Sequence, residues 1–258
     1  MTTTQQLDVA DLQRRVQDVY QKVAEEPHRD YHFEMGPGLA QRLGYPVELL
    51  DSIPEEVLES FAGVGYFLDL GAVQAGERVL DLGSGSGTDS FAVATLTGAT
   101  GEVTGVDMTK AQLAKAERLR VAAGLDQVRF VEGHIEDVPL PNRSCDLVIS
   151  NGVINLSADK PAVFAEVARV LVPGGRLALA DIVSARPLAE SITCDAELWA
   201  ACVGGAAQID AYLGAIEHAG LRVDTVRDNT AYAFISGSAR GATETYGIKS
   251  ISLLAVKP

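Results

Sequence analysis

The residues most suited to chemistry lie where glycine-rich or acidic stretches interrupt apolar runs. In Val79-Leu-Asp81-Leu-Gly83-Ser-Gly85-Ser-Gly87-Thr88, glycines at every second position let the backbone turn sharply and approach a ligand without side chains in the way. Asp81 stands two residues before the first of them. A pyrophosphate there would meet a like charge, whereas a ligand bearing positive charge would be held. The lysine of a triphosphate-binding loop is missing, which removes the nucleoside triphosphate reading. A second acid, Asp107, closes the run Gly105-Val-Asp-Met108-Thr109 and sits where a carboxylate can accept both hydroxyls of a ribose. A third turn, Glu132-Gly-His134-Ile135-Glu136-Asp137, offers an apolar side chain to stack on an adenine ring and polar groups for its amine. A fourth apolar run, Cys145-Asp-Leu-Val-Ile-Ser150, ends on a bare amide and a glycine, Asn151-Gly152.

These turns need strands to carry them. Strands are expected at Arg78–Leu82, Glu102–Val106, Val128–Glu132, Asp146–Ser150 and Arg176–Ile182, alternating with helices at about 88–97, 110–123 and 160–172. Thr109 and Gln112 are spaced as a capping box for the second of those helices, and Asp159 with Pro161 opens the third. Further helices are expected at about 190–204 and 208–219, then strands near 222–234 and 247–256. Short strands alternating with helices predict an α/β fold with a mostly parallel sheet covered on both faces. Its ligands bind outside the carboxyl ends of the strands, where all the turns above fall. S-adenosylmethionine, with an ammonium and a sulfonium, is the cofactor that an acid at Asp81 favours.

Residues 1–70 lack this rhythm. A helix is expected over 8–26, then an irregular stretch over 27–55, and a short helix near Val57. We expect a cap over the site here, with residues 71–258 forming the cofactor-binding domain and substrate-side helices near 186–220. In the cap, His32 is a candidate general base, with a histidine that merely pins the segment as the alternative. Tyr20 is a candidate for closing over the cofactor. Trp199 is expected to pack against the cap. Cys202 can line an acceptor pocket or be a small buried hydrophobe.

The 258 residues are 47% hydrophobic and 22% charged, enough for a sizeable core. With 35 acidic against 21 basic side chains the formal charge is −14, which disfavours nucleic acid and anionic membrane surfaces as partners. Cys145, Cys194 and Cys202 form no CxxC pair, so no metal knuckle is expected. Sparse cysteines and a start lacking a signal-peptide pattern predict a cytoplasmic protein. No apolar run is long enough to span a membrane.

The stretches VLDLGSGSGT, GVDMT, VPLPNRSCDLVISN (Val138–Asn151) and EVARVLVPGGRL resemble those of class I S-adenosylmethionine-dependent methyltransferases. That resemblance implies a Rossmann-like, seven-stranded sheet whose last hairpin is reversed. DLGSGSGTDSFAVA, GEVTGVDMTKAQLAKA, SNGVINLSADKPAVFAEVARVLVPGGRLALADI and LWAACVGGA resemble the arsenite methyltransferase group more closely. By this resemblance Gly83, Gly85, Asp107, Met108, Thr109, Ile135 and Glu136 would hold S-adenosylmethionine, and Asn151 would lie close to its methionine moiety. The group places a cysteine where this chain has Gly152 and another where Cys202 stands, so most of its arsenic-binding thiols are missing. Trivalent arsenic is a soft centre held by converging thiolates. The expected function is therefore methyl transfer to a small-molecule acceptor, by a monomer or homodimer. Metalloid or thiol S-methylation through Cys202 and external thiols, and cofactor binding without turnover, stand as alternatives. A nicotinamide oxidoreductase is opposed by Asp81.

Overall fold

The computed structural model describes residues 8–194, 198–199, 203–235 and 237–258. Eight strands form one sheet: β1 Arg78–Leu82, β2 Glu102–Asp107, β3 Val128–Glu132, β4 Cys145–Asn151, β5 Leu171–Ser184, β6 Ala207–Gln208, β7 Arg222–Asp228 and β8 Lys249–Val256. The main path runs β3-β2-β1-β4-β5-β8-β7, and the two-residue β6 adds onto β5. All pairings are parallel except those of β8, which runs antiparallel to both β5 and β7. This is the mostly parallel α/β sheet that the alternation of elements implied, with the reversed final hairpin that the methyltransferase resemblance implied.

Period-two alternation divides the core. From β4 and β5, Leu147, Ile149, Ala178, Ala180 and Ile182 face one side. Val148, Leu177, Leu179 and Val183 face the other, where they meet Val163, Phe164, Tyr212 and Ile216 of two covering helices. The first side is covered by the helix Thr88–Thr97 and by the front of the chain, including Leu39, Leu50, Phe61 and Phe67. The front segment thus shares its core with the sheet.

Within that segment the helix Val9–Glu25 is capped by Asp8, whose side chain accepts from the Asp11 amide at 3.0 Å. The stretch expected to be irregular instead holds short helices at Pro37–Leu43 and Val47–Leu50, and the short helix expected near Val57 spans Glu55–Leu58. Each has a proline at or immediately before its first position, where a missing N–H costs nothing and the fixed φ suits the turn. Prolines that look like breakers in the sequence act here as starters.

Other boundaries move. The helix opened by Asp159 ends at Val170, and β5 takes Leu171 onward through the Pro173-Gly174-Gly175 turn. The expected strand 222–234 stops at Asp228, and a helix at Gly237–Tyr246 follows, which periodicity did not reveal. Of the helix expected over 190–204, the described part is Glu190–Thr193 and a helical Leu198-Trp199, followed by a turn at Val203–Gly205. Thr109 and Gln112 form no capping box: the Thr109 side chain makes no cap bond, and the Gln112 amide donates to the Tyr20 carbonyl at 2.8 Å while its oxygen accepts from Ser86. Tertiary partners outcompete the local cap. No described helix is long and apolar enough to cross a membrane.

Candidate active site

A cleft opens at the carboxyl ends of β1, β2 and β4. Its floor is the glycine loop. Gly83 and Gly85 have φ of +68° and +54°, the left-handed region that disfavours other residues. The loop is pinned from β2: the Gly83 and Ser84 amides donate to the Val106 carbonyl at 2.8 and 3.0 Å. A Cβ added at Gly83 would strike the Val153 side chain at 2.4 Å. At Gly85 a Cβ would meet only the Gln112 oxygen, at 3.8 Å. The backbone there is bare toward open space, a cradle that suits close approach of a ligand.

Asp107 ends β2 and accepts the Gly85 amide at 2.9 Å and the Thr109 amide at 2.7 Å, one on each carboxylate oxygen. It therefore ties the glycine loop to the start of the next helix as well as facing the cleft. Burial pushes its pKa up, against the hydrogen bonds that lower it. Asp81 is 2% exposed and accepts from the Ser90 hydroxyl at 2.6 Å. Its pKa is raised, first by burial and then by the charge of Asp89.

Asp89 is the principal site residue that sequence reasoning missed. It lies in the first turn of the helix Thr88–Thr97, is buried, and lines the cleft. One oxygen accepts from the Tyr45 hydroxyl and the other from the Asn151 amide at 3.0 Å. Burial raises its pKa while these two bonds lower it. The visible signal was an acid two residues after the last loop glycine. Tyr45 carried no signal, because its role arises from a contact across 44 positions of sequence.

Asn151 sits at the end of β4 and lines the cleft, but its amide is fully engaged. Its oxygen accepts the Val64 amide at 2.8 Å, and its nitrogen lies within hydrogen-bond distance of Tyr45, the Gly65 carbonyl and Asp89. It works as a strut between β4, the 63–65 segment and Asp89. Gly152 follows with φ +72°, its amide donating to the Ala180 carbonyl at 2.8 Å.

The remaining expected residues divide. Met108, Thr109, Gln112, Ile135 and Glu136 all line the cleft, with Glu136 accepting from the Ser157 hydroxyl. Tyr20 lines it too, from the first helix, whose Gln17 also donates to the Met108 carbonyl at 3.2 Å. His32 is not brought in. It is exposed, with its ring edge-on to Phe33 at 4.8 Å and outside the cleft lining. The physical reason is that Phe33, stacked 6.1 Å from Tyr20, takes the inward position. Trp199 packs with Leu12 and Val16 of the first helix, as expected. Lys160 lies 5.1 Å from its ring and donates to the carbonyls of Asn155 and Ser157 at 3.1 and 2.9 Å, its pKa pushed down to about 8 by burial. Cys145 is buried at the start of β4, the far end from the cleft. Cys202 lies outside the described residues. No metal-binding group of three or more acidic, histidine or cysteine side chains occurs among the described residues.

The cleft lining contains four acids, Asp81, Asp89, Asp107 and Glu136, and among the described residues no lysine or arginine. That field repels phosphates and attracts a cation.

Comparison with known proteins agrees with this chemistry. A family model described as a methyltransferase domain matches residues 74–220. An arsenite methyltransferase of Halobacterium salinarum is 35% identical over 198 residues, covering 76% of this chain and 50% of that protein. One from Aquipseudomonas alcaligenes is 43% identical over 169 residues, covering 61% and 47%. The chain thus spans about half the length of these curated relatives. Among solved structures, an arsenic(III) S-adenosylmethionine methyltransferase from Chlamydomonas reinhardtii matches with a TM-score of 0.63 at 30% identity, covering 87% of this chain and 74% of that one.

Proposed function

The chain belongs to the class I S-adenosylmethionine-dependent methyltransferases, and on that premise we propose that it transfers a methyl group from S-adenosylmethionine to a small-molecule acceptor. The observation that carries the reading is the acid-lined, lysine- and arginine-free cleft built on a bare glycine loop. S-adenosylmethionine, when bound, supplies an electrophilic methyl on a positively charged sulfur. Asp81 and Asp89 offer the negative charge that holds such a ligand. Asp107 would receive the ribose, and Ile135 with Met108 would enclose the adenine. Residues 8–70 serve as the cap: Val16, Tyr20 and Phe61 line the cleft and exclude water from it.

Among described residues the cleft holds no free general base other than its acids and His134. An in-line attack by an acceptor that is already nucleophilic fits this, with catalysis coming mainly from positioning. Two specific observations bear on arsenite as that acceptor. The relatives above carry that activity in their names. Against it, Gly152 leaves no thiol at the end of β4, and Cys145 points the question elsewhere by lying at the opposite end of the sheet. An organic acceptor is the reading adopted.

The test is S-adenosylhomocysteine release from S-adenosylmethionine, with a panel of small thiols, phenols and amines in parallel with arsenite plus excess thiol. Turnover on an organic acceptor and silence with arsenite are expected. Turnover with arsenite alone would move the assignment to metalloid methylation, and failure to bind S-adenosylmethionine in calorimetry would refute both.

A further inference from the structure

Resting on the cofactor reading above, we infer that Asp89 is the residue by which this site tells the charged methyl donor from its neutral product. S-adenosylmethionine carries a methyl and a positive charge at sulfur, and S-adenosylhomocysteine lacks both. A group whose interaction depends on that charge discriminates between them electrostatically. A fully engaged amide such as Asn151 does not supply one, and Asp107 is occupied on both oxygens by backbone amides at the ribose end.

Asp89 meets the requirement. It is buried in the cleft wall, and its two hydrogen bonds come from neutral donors, Tyr45 and Asn151. A carboxylate held by a phenol and an amide is oriented but keeps its charge uncompensated. The charged or titratable groups set against it are Asp81 from β1, Tyr45 from the segment before the Val47–Leu50 helix, and Tyr66 from the segment after Phe61. None is a cation. The hydrogen bond from Asn151 also fixes Asp89 beside the end of β4, the place where the family resemblance sets the methionine moiety. An independent sign of a polar ligand in this cleft is Ser84. It lines the same space, is 8% exposed, and its hydroxyl has no partner.

The consequence is that loss of the methyl weakens the hold on the spent cofactor, since the acid pair Asp81 and Asp89 loses the charge it faced. Both acids oppose each other's ionisation, and a cation between the strand and the helix relieves that opposition.

Asp89→Asn keeps the side-chain shape and removes the charge; its oxygen can still accept from Asn151, and its new amide donor faces the Tyr45 hydroxyl, which can accept. Calorimetric titration of the full chain with S-adenosylmethionine and with S-adenosylhomocysteine is the measurement, with thermal unfolding to confirm that the variant is folded. The expected result is a loss of affinity for S-adenosylmethionine of about tenfold or more, the scale of one charged interaction, with S-adenosylhomocysteine nearly unchanged. Equal losses for both ligands, or none, overturn the inference and leave Asp89 a structural acid. Should the variant not fold, the wild type serves: its preference for S-adenosylmethionine over S-adenosylhomocysteine is expected to grow from pH 5 to pH 7.5 as Asp89, whose pKa burial raises to about 6, ionises. A preference that does not change with pH overturns the inference. Wild-type protein that binds neither ligand overturns the cofactor reading itself.

Discussion

Gly152→Cys places a thiol at the end of β4, the position where the arsenite methyltransferase resemblance implies one, and the structure sets its cost. The residue has φ +72°, and a non-glycine residue there is disfavoured by roughly 1–2 kcal/mol. The added Cβ stands 3.1 Å from one Val64 methyl and 3.6 Å from the other. That contact requires a shift of a few tenths of an ångström, at the low end of the ~1–3 kcal/mol seen for overpacking. The sum is a destabilisation of about 2–3 kcal/mol, measured by urea unfolding without ligand. In the double variant with Val64→Ala the crowding share is recovered and the backbone share is not, so the two changes are non-additive. A destabilisation below about 0.5 kcal/mol would refute the reasoning, because it would mean that the backbone at 152 relaxes freely despite the Gly152 to Ala180 hydrogen bond. The same variant assayed with arsenite and excess thiol is expected to release more S-adenosylhomocysteine than wild type. Equal release would mean that the missing thiol at 152 is not what limits arsenite.

Asp107→Ala is expected to weaken S-adenosylmethionine binding by ~1–3 kcal/mol in calorimetry, because it removes the ribose acceptor and also frees the Gly85 and Thr109 amides it holds. Tyr45→Phe leaves one oxygen of buried Asp89 without its donor, and a cost of ~1–3 kcal/mol is expected in chemical denaturation; an unchanged midpoint would show that water replaces the hydroxyl. Without ligand, stability is expected to fall as pH rises above about 5. Asp81 and Asp89 have folded-state pKa values above their ordinary ones, so the folded protein retains protons that the unfolded chain has released. The contribution is complete below the ordinary carboxylate pKa and is lost as pH rises through the raised ones. The carboxylates shifted the other way, such as Glu34, Asp146 and Glu166, act only in more acidic solution. Unfolding free energies at pH 5 and pH 8 check this, with Asp81→Asn expected to flatten the difference.

What the sequence by itself determined is the part of the protein carried by local pattern. Near-continuous apolar runs mark β4 and β5 as strands buried on both faces. The spacing of Asp81, Gly83 and Gly85 marks the glycine loop that lines the cleft, and Asp107 marks the tip of the next strand. These readings survive folding because each depends on a residue's own backbone preference or on a neighbour a few positions away. The tertiary structure decided the rest. Gln112 reads as a cap and becomes a link between Ser86 and the first helix. His32 reads as a base and is left outside because Phe33 takes the inward place. Tyr45 and Asp89 meet across 44 residues, and Asn151 is consumed in holding them with Val64. Such contacts depend on which segments are packed together, and a buried polar group takes whichever partner the packing provides, since leaving it without one costs more than any local preference returns.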